Sequence, residues 1–145
     1  MYKWSNWENI KIAKSNKGPF NEYGIYQISV ADKSNSPIPI NRLIGTDPLG
    51  ILYIGRSGFR RSPNKRTIAN RIREFLNKKH SGYDSYVIAK TALDKIAQYS
   101  DHHLQVRIFP INVDDEIESS ESRIIYEYVE IYGELPPCNS SIPKA

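Results

Sequence analysis

Hydrophobic positions along the chain fall into two kinds of pattern. Three short runs are dense in β-branched, aromatic and aliphatic residues, as half-buried strands are. They are Gly24-Ile25-Tyr26-Gln27-Ile28-Ser29-Val30, Gly50-Ile51-Leu52-Tyr53-Ile54-Gly55 and Leu104-Gln105-Val106-Arg107-Ile108-Phe109. Three longer stretches space their apolar residues by three and four, which predicts helices. The first runs over 63–79, with Ser62 as N-cap and Pro63 in the first turn, and buries Ile68, Ile72, Phe75 and Leu76. The second runs over 85–99, with Tyr86, Ala89, Leu93, Ile96 and Ala97 on one face. The third begins at Asn112 or Asp114, carries acidic residues in its first turn, and stops at Gly133 ahead of Pro136 and Pro137. The resulting order, β-β-α-α-β-α, predicts an α+β domain: a small three-stranded antiparallel sheet flanked by helices.

Two segments lie outside this pattern. Residues 1–22 hold Trp4 and Trp7 in a polar background that Gly18-Pro19 terminates, and read as an N-terminal cap. The tryptophans are expected to pack on the core rather than to stack on bases. Residues 31–48 are polar, with Pro37, Pro39, Gly45 and Pro48, and read as an insertion between the first two strands. At 145 residues the chain is expected to form one domain. Its single cysteine, Cys138, excludes an internal disulfide framework and a cysteine-cluster zinc site. No apolar run has the length of a membrane span, and Met1-Tyr2-Lys3-Trp4 does not begin a signal peptide, so the expected compartment is cytoplasmic.

Charge sharpens the picture through its distribution rather than its net value of +4. Residues 56–80 carry nine Lys and Arg against Glu74, whereas 114–134 carry eight Asp and Glu against Arg123. A basic block beside a strand end is either the footprint of a phosphate backbone or a solvated helix face balancing the acidic helix. Glu121 falls on the apolar stripe of the third helix, four residues after Ile117 and shortly before Ile124 and Ile125. A carboxylate aimed at the core is costly unless it is paired or binds a metal. Arg71 sits at the margin of the first helix's stripe, where a guanidinium can either grip a phosphate oxygen or cover apolar surface with its stem. His80 at that helix's end is a candidate phosphate contact. Walker-type loops, Gly-x-Gly-x-x-Gly, Cys-x-x-Cys, His-Glu-x-x-His and Gly-x-Ser-x-Gly are all missing from the sequence.

Gly24-Ile25-Tyr26 and Tyr53-Ile54-Gly55 are the two tripeptides that name the GIY-YIG nuclease superfamily, and the chain resembles that family from about residue 18 to 139. Asn70-Arg71-Ile72-Arg73-Glu74-Phe75-Leu76 is similar to its arginine-bearing helix. Glu121-Ser122-Arg123-Ile124-Ile125 is similar to its glutamate motif, and Leu135-Pro136-Pro137-Cys138-Asn139 to its closing asparagine turn. Three features depart from the pattern: the 31–48 insertion, a long interval from Gly55 to Arg71, and Phe75 where many members have His or Tyr.

The resemblance implies a metal-dependent DNA endonuclease, acting as monomer or homodimer, with double-stranded DNA as its expected partner. Glu121 would hold one Mg²⁺ or Mn²⁺, and Arg71 (or Arg66 or Arg73) would stabilise phosphoryl charge. Tyr26 would position or deprotonate water with Tyr53 in support, since a phenol near a cation can lose its proton below its usual pKa. Gly24, Gly55 and Asn139 would support the site. Arg56, Arg60, Arg61, Lys65, Arg66 and His80 would contact the backbone. Restriction, phage and repair roles stay open, as does the alternative of a non-catalytic nucleic-acid-binding module with a decayed site.

Overall fold

A computed structural model of the chain describes residues 2–13, 18–77 and 101–141, together with 86, 87, 90, 91, 94 and 95. The elements in order are β1 (Glu8–Asn9), α1 (Ile10–Ala13), β2 (Gly24–Ala31), β3 (Ile40–Asn41), β4 (Thr46–Asp47), β5 (Ile51–Arg56), α2 (Ile68–Leu76), β6 (His103–Pro110) and α3 (Ile117–Tyr132). The fold is α+β, but the sheet has four strands, not three, in the order β1-β6-β2-β5, with every neighbouring pair antiparallel. The extra strand is β1, which pairs Glu8 with Val106 and Asn9 with Gln105. Two polar residues carry no hydrophobic period, so only the pairing itself reveals it. The chain reaches that position extended: the Ser5 N–H donates to Ile108 O at 2.8 Å, and Ser5 Oγ accepts from the Ile108 N–H at 2.9 Å. Trp4 and Trp7 therefore pack against the sheet from an extended segment.

β2 is central and buried along its whole length, because helices cover both faces. One face sets Tyr26, Ile28, Val30, Val106 and Ile108 against Ile68, Ala69, Ile72 and Phe75 of α2. The other sets Ile25, Ile51 and Ile54 against Ile117, Ile124, Ile125 and Tyr128 of α3. The polar residues of β2 lie on this second face and are paired across to β6, Ser29 with Gln105 and Gln27 with Arg107.

α2 begins at Ile68 rather than Pro63, with Thr67 as its N-cap accepting from the Asn70 N–H at 3.4 Å. Residues 62–65 instead close a turn, and Lys65 takes a left-handed backbone (φ 43°) that a helix cannot pass through. The expected end of this helix beyond residue 77, and His80 with it, lies outside the described residues. So does most of the second expected helix; within it Tyr86, Val87, Lys90, Thr91 and Asp94 are helical. α3 ends where the sequence predicts, with Gly133 left-handed (φ 76°) and its N–H donating to Val129 O at 2.7 Å.

The 31–48 segment contains the ribbon β3–β4, a second two-stranded sheet. It leans on the C-terminal end of α3: the Ile44 N–H donates to Tyr132 O at 2.9 Å, and Arg42 donates to Leu135 O at 2.6 Å while pairing with Glu134. No helix of the described residues is long and apolar enough to cross a membrane.

Candidate active site

The site forms where the edge strand β5 meets both helical layers. Tyr26 on β2 and Tyr53 on β5 project from the α2-facing side, with ring centroids 6.0 Å apart. Gly55 lies directly across from Tyr26 in the strand register. A Cβ on Gly55 would stand 2.5 Å from Tyr53 Cε2 and 2.6 Å from both Cζ and Oη of Tyr26. Only a residue without a side chain lets both rings close over the strand. Gly24 is likewise required, by its φ of 149° and by close backbone approach of Phe109. Its N–H donates to Ser57 Oγ at 3.0 Å, and its carbonyl accepts from the Ser57 N–H at 2.9 Å. This clamp joins the start of one tripeptide to the residue just after the other's strand.

The outer edge of β5 is closed by the C-terminal segment. The Cys138 N–H donates to Leu52 O at 2.8 Å. Asn139 imitates a peptide: Oδ1 accepts from the Ile54 N–H at 3.0 Å and Nδ2 donates to Ile54 O at 2.9 Å. Residues 138–139 are thus tied firmly to the strand carrying Tyr53, and Cys138 is buried.

Arg71 from α2 and Glu121 from α3 complete the group from opposite sides of the sheet. Both line a cavity of about 400 Å³ together with Arg56, Phe59, Asn64 and Arg66. Glu121 also lines a second cavity, of about 190 Å³, with Tyr53, Asn139, Ser140 and Ser141. Its side chain is 15% exposed, and among the described residues its single ion-pair partner is Arg56 Nε at 3.7 Å. Burial raises its pKa above the usual carboxylate value, with Arg56 and then Arg71 acting in the opposite direction.

Among the described residues, two further buried polar atoms here make no hydrogen bond of ordinary geometry, Tyr26 Oη and Arg71 Nε, although Arg71 and Tyr53 both lie close enough to Tyr26 to influence its hydroxyl. Arg71 Nη1 donates to Glu74 Oε2 at 3.2 Å, and Glu74 also pairs with Arg66. Glu74 therefore holds two arginines at the cavity. The sequence reading missed this role and counted Glu74 only as the lone acid of a basic block; the i, i+3 spacing from Arg71 was the available signal. Ser57 was missed too, and nothing in its sequence context marks it. Arg73 pairs with Asn70.

The phenols depart from expectation. Burial raises Tyr26 well above the usual 10 and Tyr53 to about 12, outweighing the lowering by Arg71. Desolvation disfavours the phenolate more than the nearby guanidinium favours it, so both residues are neutral donors at neutral pH.

The basic loop between β5 and α2 divides. Arg60 is committed to the protein: it stacks on Tyr23 at 4.8 Å, donates to Ile111 O at 2.7 Å and lies 3.5 Å from Asp114 Oδ1. Arg61 pairs with Asp115 at 2.7 Å and stacks on Phe59, yet stays largely exposed. Arg56 reaches Glu118 at 3.2 Å and stacks on Phe59 at 5.1 Å. Lys65 is exposed. Arg56 and Arg66 are the two basic residues of this loop that line the cavity itself.

Among the described residues no three His, Cys, Asp or Glu side chains converge into a metal-binding group. A site with one carboxylate suits a hard cation that keeps most of its water and takes the rest of its oxygens from a bound phosphate. In comparisons with known proteins, no family, curated protein or solved structure matches the chain.

Proposed function

We propose that the chain is a metal-dependent DNA endonuclease of the GIY-YIG type, with Tyr26, Tyr53, Arg71 and Glu121 as its catalytic group. The observation that carries this reading is the under-satisfied polar cluster. Arg71, whose buried Nε has no hydrogen-bond partner among the described residues, and the half-desolvated Glu121 carboxylate both line a cavity of about 400 Å³, and the fully buried Tyr26 hydroxyl lies behind them within electrostatic reach of both. Buried polar groups in a folded core are nearly always paired, so a cluster of exceptions marks where a substrate's own polar atoms belong.

Glu121 is the residue that would hold the divalent cation, Mg²⁺ or Mn²⁺, which when bound supplies a Lewis acid against a phosphate oxygen. Arg71 exchanges Glu74 for the phosphoryl oxygens and stabilises the charge that gathers there. Tyr26, held neutral by burial, helps to orient the attacking water from beneath the cavity, and Tyr53, which lines the neighbouring one, supports it. Arg56, Arg61, Lys65 and Arg66 carry the DNA backbone at the cavity mouth, while Arg60 shapes the loop. Among Arg66, Arg71 and Arg73, the buried Nε of Arg71 favours it as the catalytic arginine.

The test is cleavage of supercoiled plasmid with and without Mg²⁺ by the wild type, Glu121→Ala and Arg71→Ala, with DNA binding measured in parallel. Metal-dependent cutting lost in both variants while binding persists is the expected result. Discrete fragments would assign a restriction-type role, and nicking of branched substrates a repair-type one. Binding without cleavage of any DNA or RNA substrate would replace the enzyme with a nucleic-acid-binding module.

A further inference from the structure

On the face of the sheet away from Tyr26 and Tyr53, Arg107 of β6 lies between two indoles. Its guanidinium carbon is 4.7 Å from the Trp4 ring centroid and 4.7 Å from that of Trp7. Nε donates to Gln27 Oε1 at 2.8 Å; among the described residues neither terminal nitrogen has a hydrogen-bond or ion-pair partner. Burial lowers the guanidinium pKa to about 10, with Asp47 acting in the opposite direction. A cavity of about 160 Å³ opens beside it, walled by the rings of Trp4, Tyr2, Tyr128 and Tyr132 and by aliphatic side chains of β5 and α3, and bordered by Glu127, whose Oε1 accepts from the Tyr2 hydroxyl at 3.0 Å and whose Oε2 is left to a ligand.

We propose that this pocket binds a single guanine base. The volume is below the roughly 300–1,000 Å³ of sites for drug-sized ligands, and suits one planar ring system. Aromatic walls favour a flat π-surface. A stacked guanidinium with free terminal N–H groups presents a donor fork, which asks for two adjacent acceptors. The ligand is neutral, because an anion reaching Arg107 would also meet Asp47 and Glu127 in the same cavity. Guanine meets these demands together: O6 and N7 accept from the fork, and the N1–H and 2-amino donors on its other edge suit the Glu127 carboxylate. Adenine sets an amino donor beside N7 and opposes the fork. The site does not depend on catalysis at Glu121.

The chain's two tryptophans both flank Arg107, so intrinsic fluorescence reports directly on the pocket. The probes are guanosine, adenosine and an oligothymidylate carrying one guanine. Guanosine should quench saturably and adenosine at least about tenfold more weakly. Arg107→Lys, which keeps the charge and loses the fork, should weaken guanosine about tenfold or more. Glu127→Gln, on the exposed rim, should weaken it without altering thermal unfolding, and Glu121→Ala should bind as the wild type does. Tighter binding of the oligonucleotide than of guanosine would assign the pocket to a base within a strand; equal binding would assign it to the free base. No saturable change with guanosine, or equal affinities for guanosine and adenosine, or a wild-type response in Arg107→Lys, would overturn the proposal.

Discussion

Asp47 and Glu121 are both carboxylates withdrawn from solvent against α3, yet the protein treats them in opposite ways. Asp47 accepts from the Leu49 N–H, the Ile51 N–H and the Tyr128 hydroxyl, each at 2.9 Å, and is almost fully buried. Glu121, two turns before Tyr128 on the same helix, has a 3.7 Å approach to Arg56 and borders two cavities. The tyrosines repeat the contrast: the Tyr128 hydroxyl is bonded to Asp47, while the buried Tyr26 Oη makes no hydrogen bond of ordinary geometry among the described residues. Asp47 fastens the 31–48 segment to β5 and α3, and its own hydrogen bonds are made within the protein. The region around Glu121 is incomplete, which is the physical sense in which it resembles a site.

Exchanging the two carboxylates for alanine is the strongest way to break that contrast. Glu121→Ala should lower plasmid cleavage by about 10³-fold, with the urea midpoint no lower than in the wild type. Asp47→Ala strands three buried donors and should cost about 3 kcal/mol of unfolding free energy, with cleavage per folded molecule intact. If Glu121→Ala proves the less stable protein, the structural and functional roles assigned to the two carboxylates are reversed.

Gly55→Ala is the next largest effect, because it attacks the tyrosine pair through packing alone. The added methyl meets ring atoms of Tyr53 and Tyr26 at 2.5–2.6 Å, and overpacking of this kind costs about 2 kcal/mol. Thermal unfolding and cleavage should fall together, since the rings must move from the positions that define the site. Unchanged stability would mean that the rings are not fixed against the strand.

A subtler comparison sets Tyr26→Phe against Tyr128→Phe. Loss of the Tyr128 hydroxyl removes a bond to Asp47 and should cost about 1 kcal/mol. Loss of the Tyr26 hydroxyl removes a buried group that makes no hydrogen bond of ordinary geometry among the described residues, so stability should hold to within about 1 kcal/mol while cleavage drops at least about tenfold. Chemical denaturation and initial rates on the two variants check both halves. Equal destabilisation would mean that the Tyr26 hydroxyl has a structural partner after all.

How much of this was legible in the chain depends on what each feature rests on. β2, β5 and β6 were readable because long apolar runs carry their own period, and Glu121 because a carboxylate interrupted such a period. β1 was not, since two polar residues become a strand only through the partner β6. The start of α2 was misread because Ser62-Pro63 has good capping chemistry, while the left-handed Lys65 that overrides it leaves no compositional trace. The sequence marks Gly55 only as a supporting position of the resemblance, and its packing role, the rings of Tyr26 and Tyr53 closing over it, is a tertiary fact. The neutral state of the tyrosines was misjudged for a similar reason: the sequence shows a nearby arginine but not the depth of burial that outweighs it.

The smallest expected effect is a pH dependence that isolates Glu121 from every other titrating group. Burial raises its folded-state pKa above the usual value of 4.5, so between the unfolded and folded pKa values the native state binds more protons than the unfolded chain. Unfolding free energy must then fall as pH rises through that window, and the contribution is lost once Glu121 ionises in the fold. Glu121→Gln cannot titrate, so the difference between wild-type and variant urea midpoints should be constant below the window. It should shift in the variant's favour across the window and be constant again above it. Adding Mg²⁺ should offset the wild type's loss, because a cation that binds the ionised carboxylate in the folded state stabilises that state. The same raised pKa requires the acid limb of cleavage to lie higher than ionisation of an exposed glutamate would place it. Parallel wild-type and Glu121→Gln stability curves would mean that Glu121 is solvated, and its difference from Asp47 would then reduce to exposure.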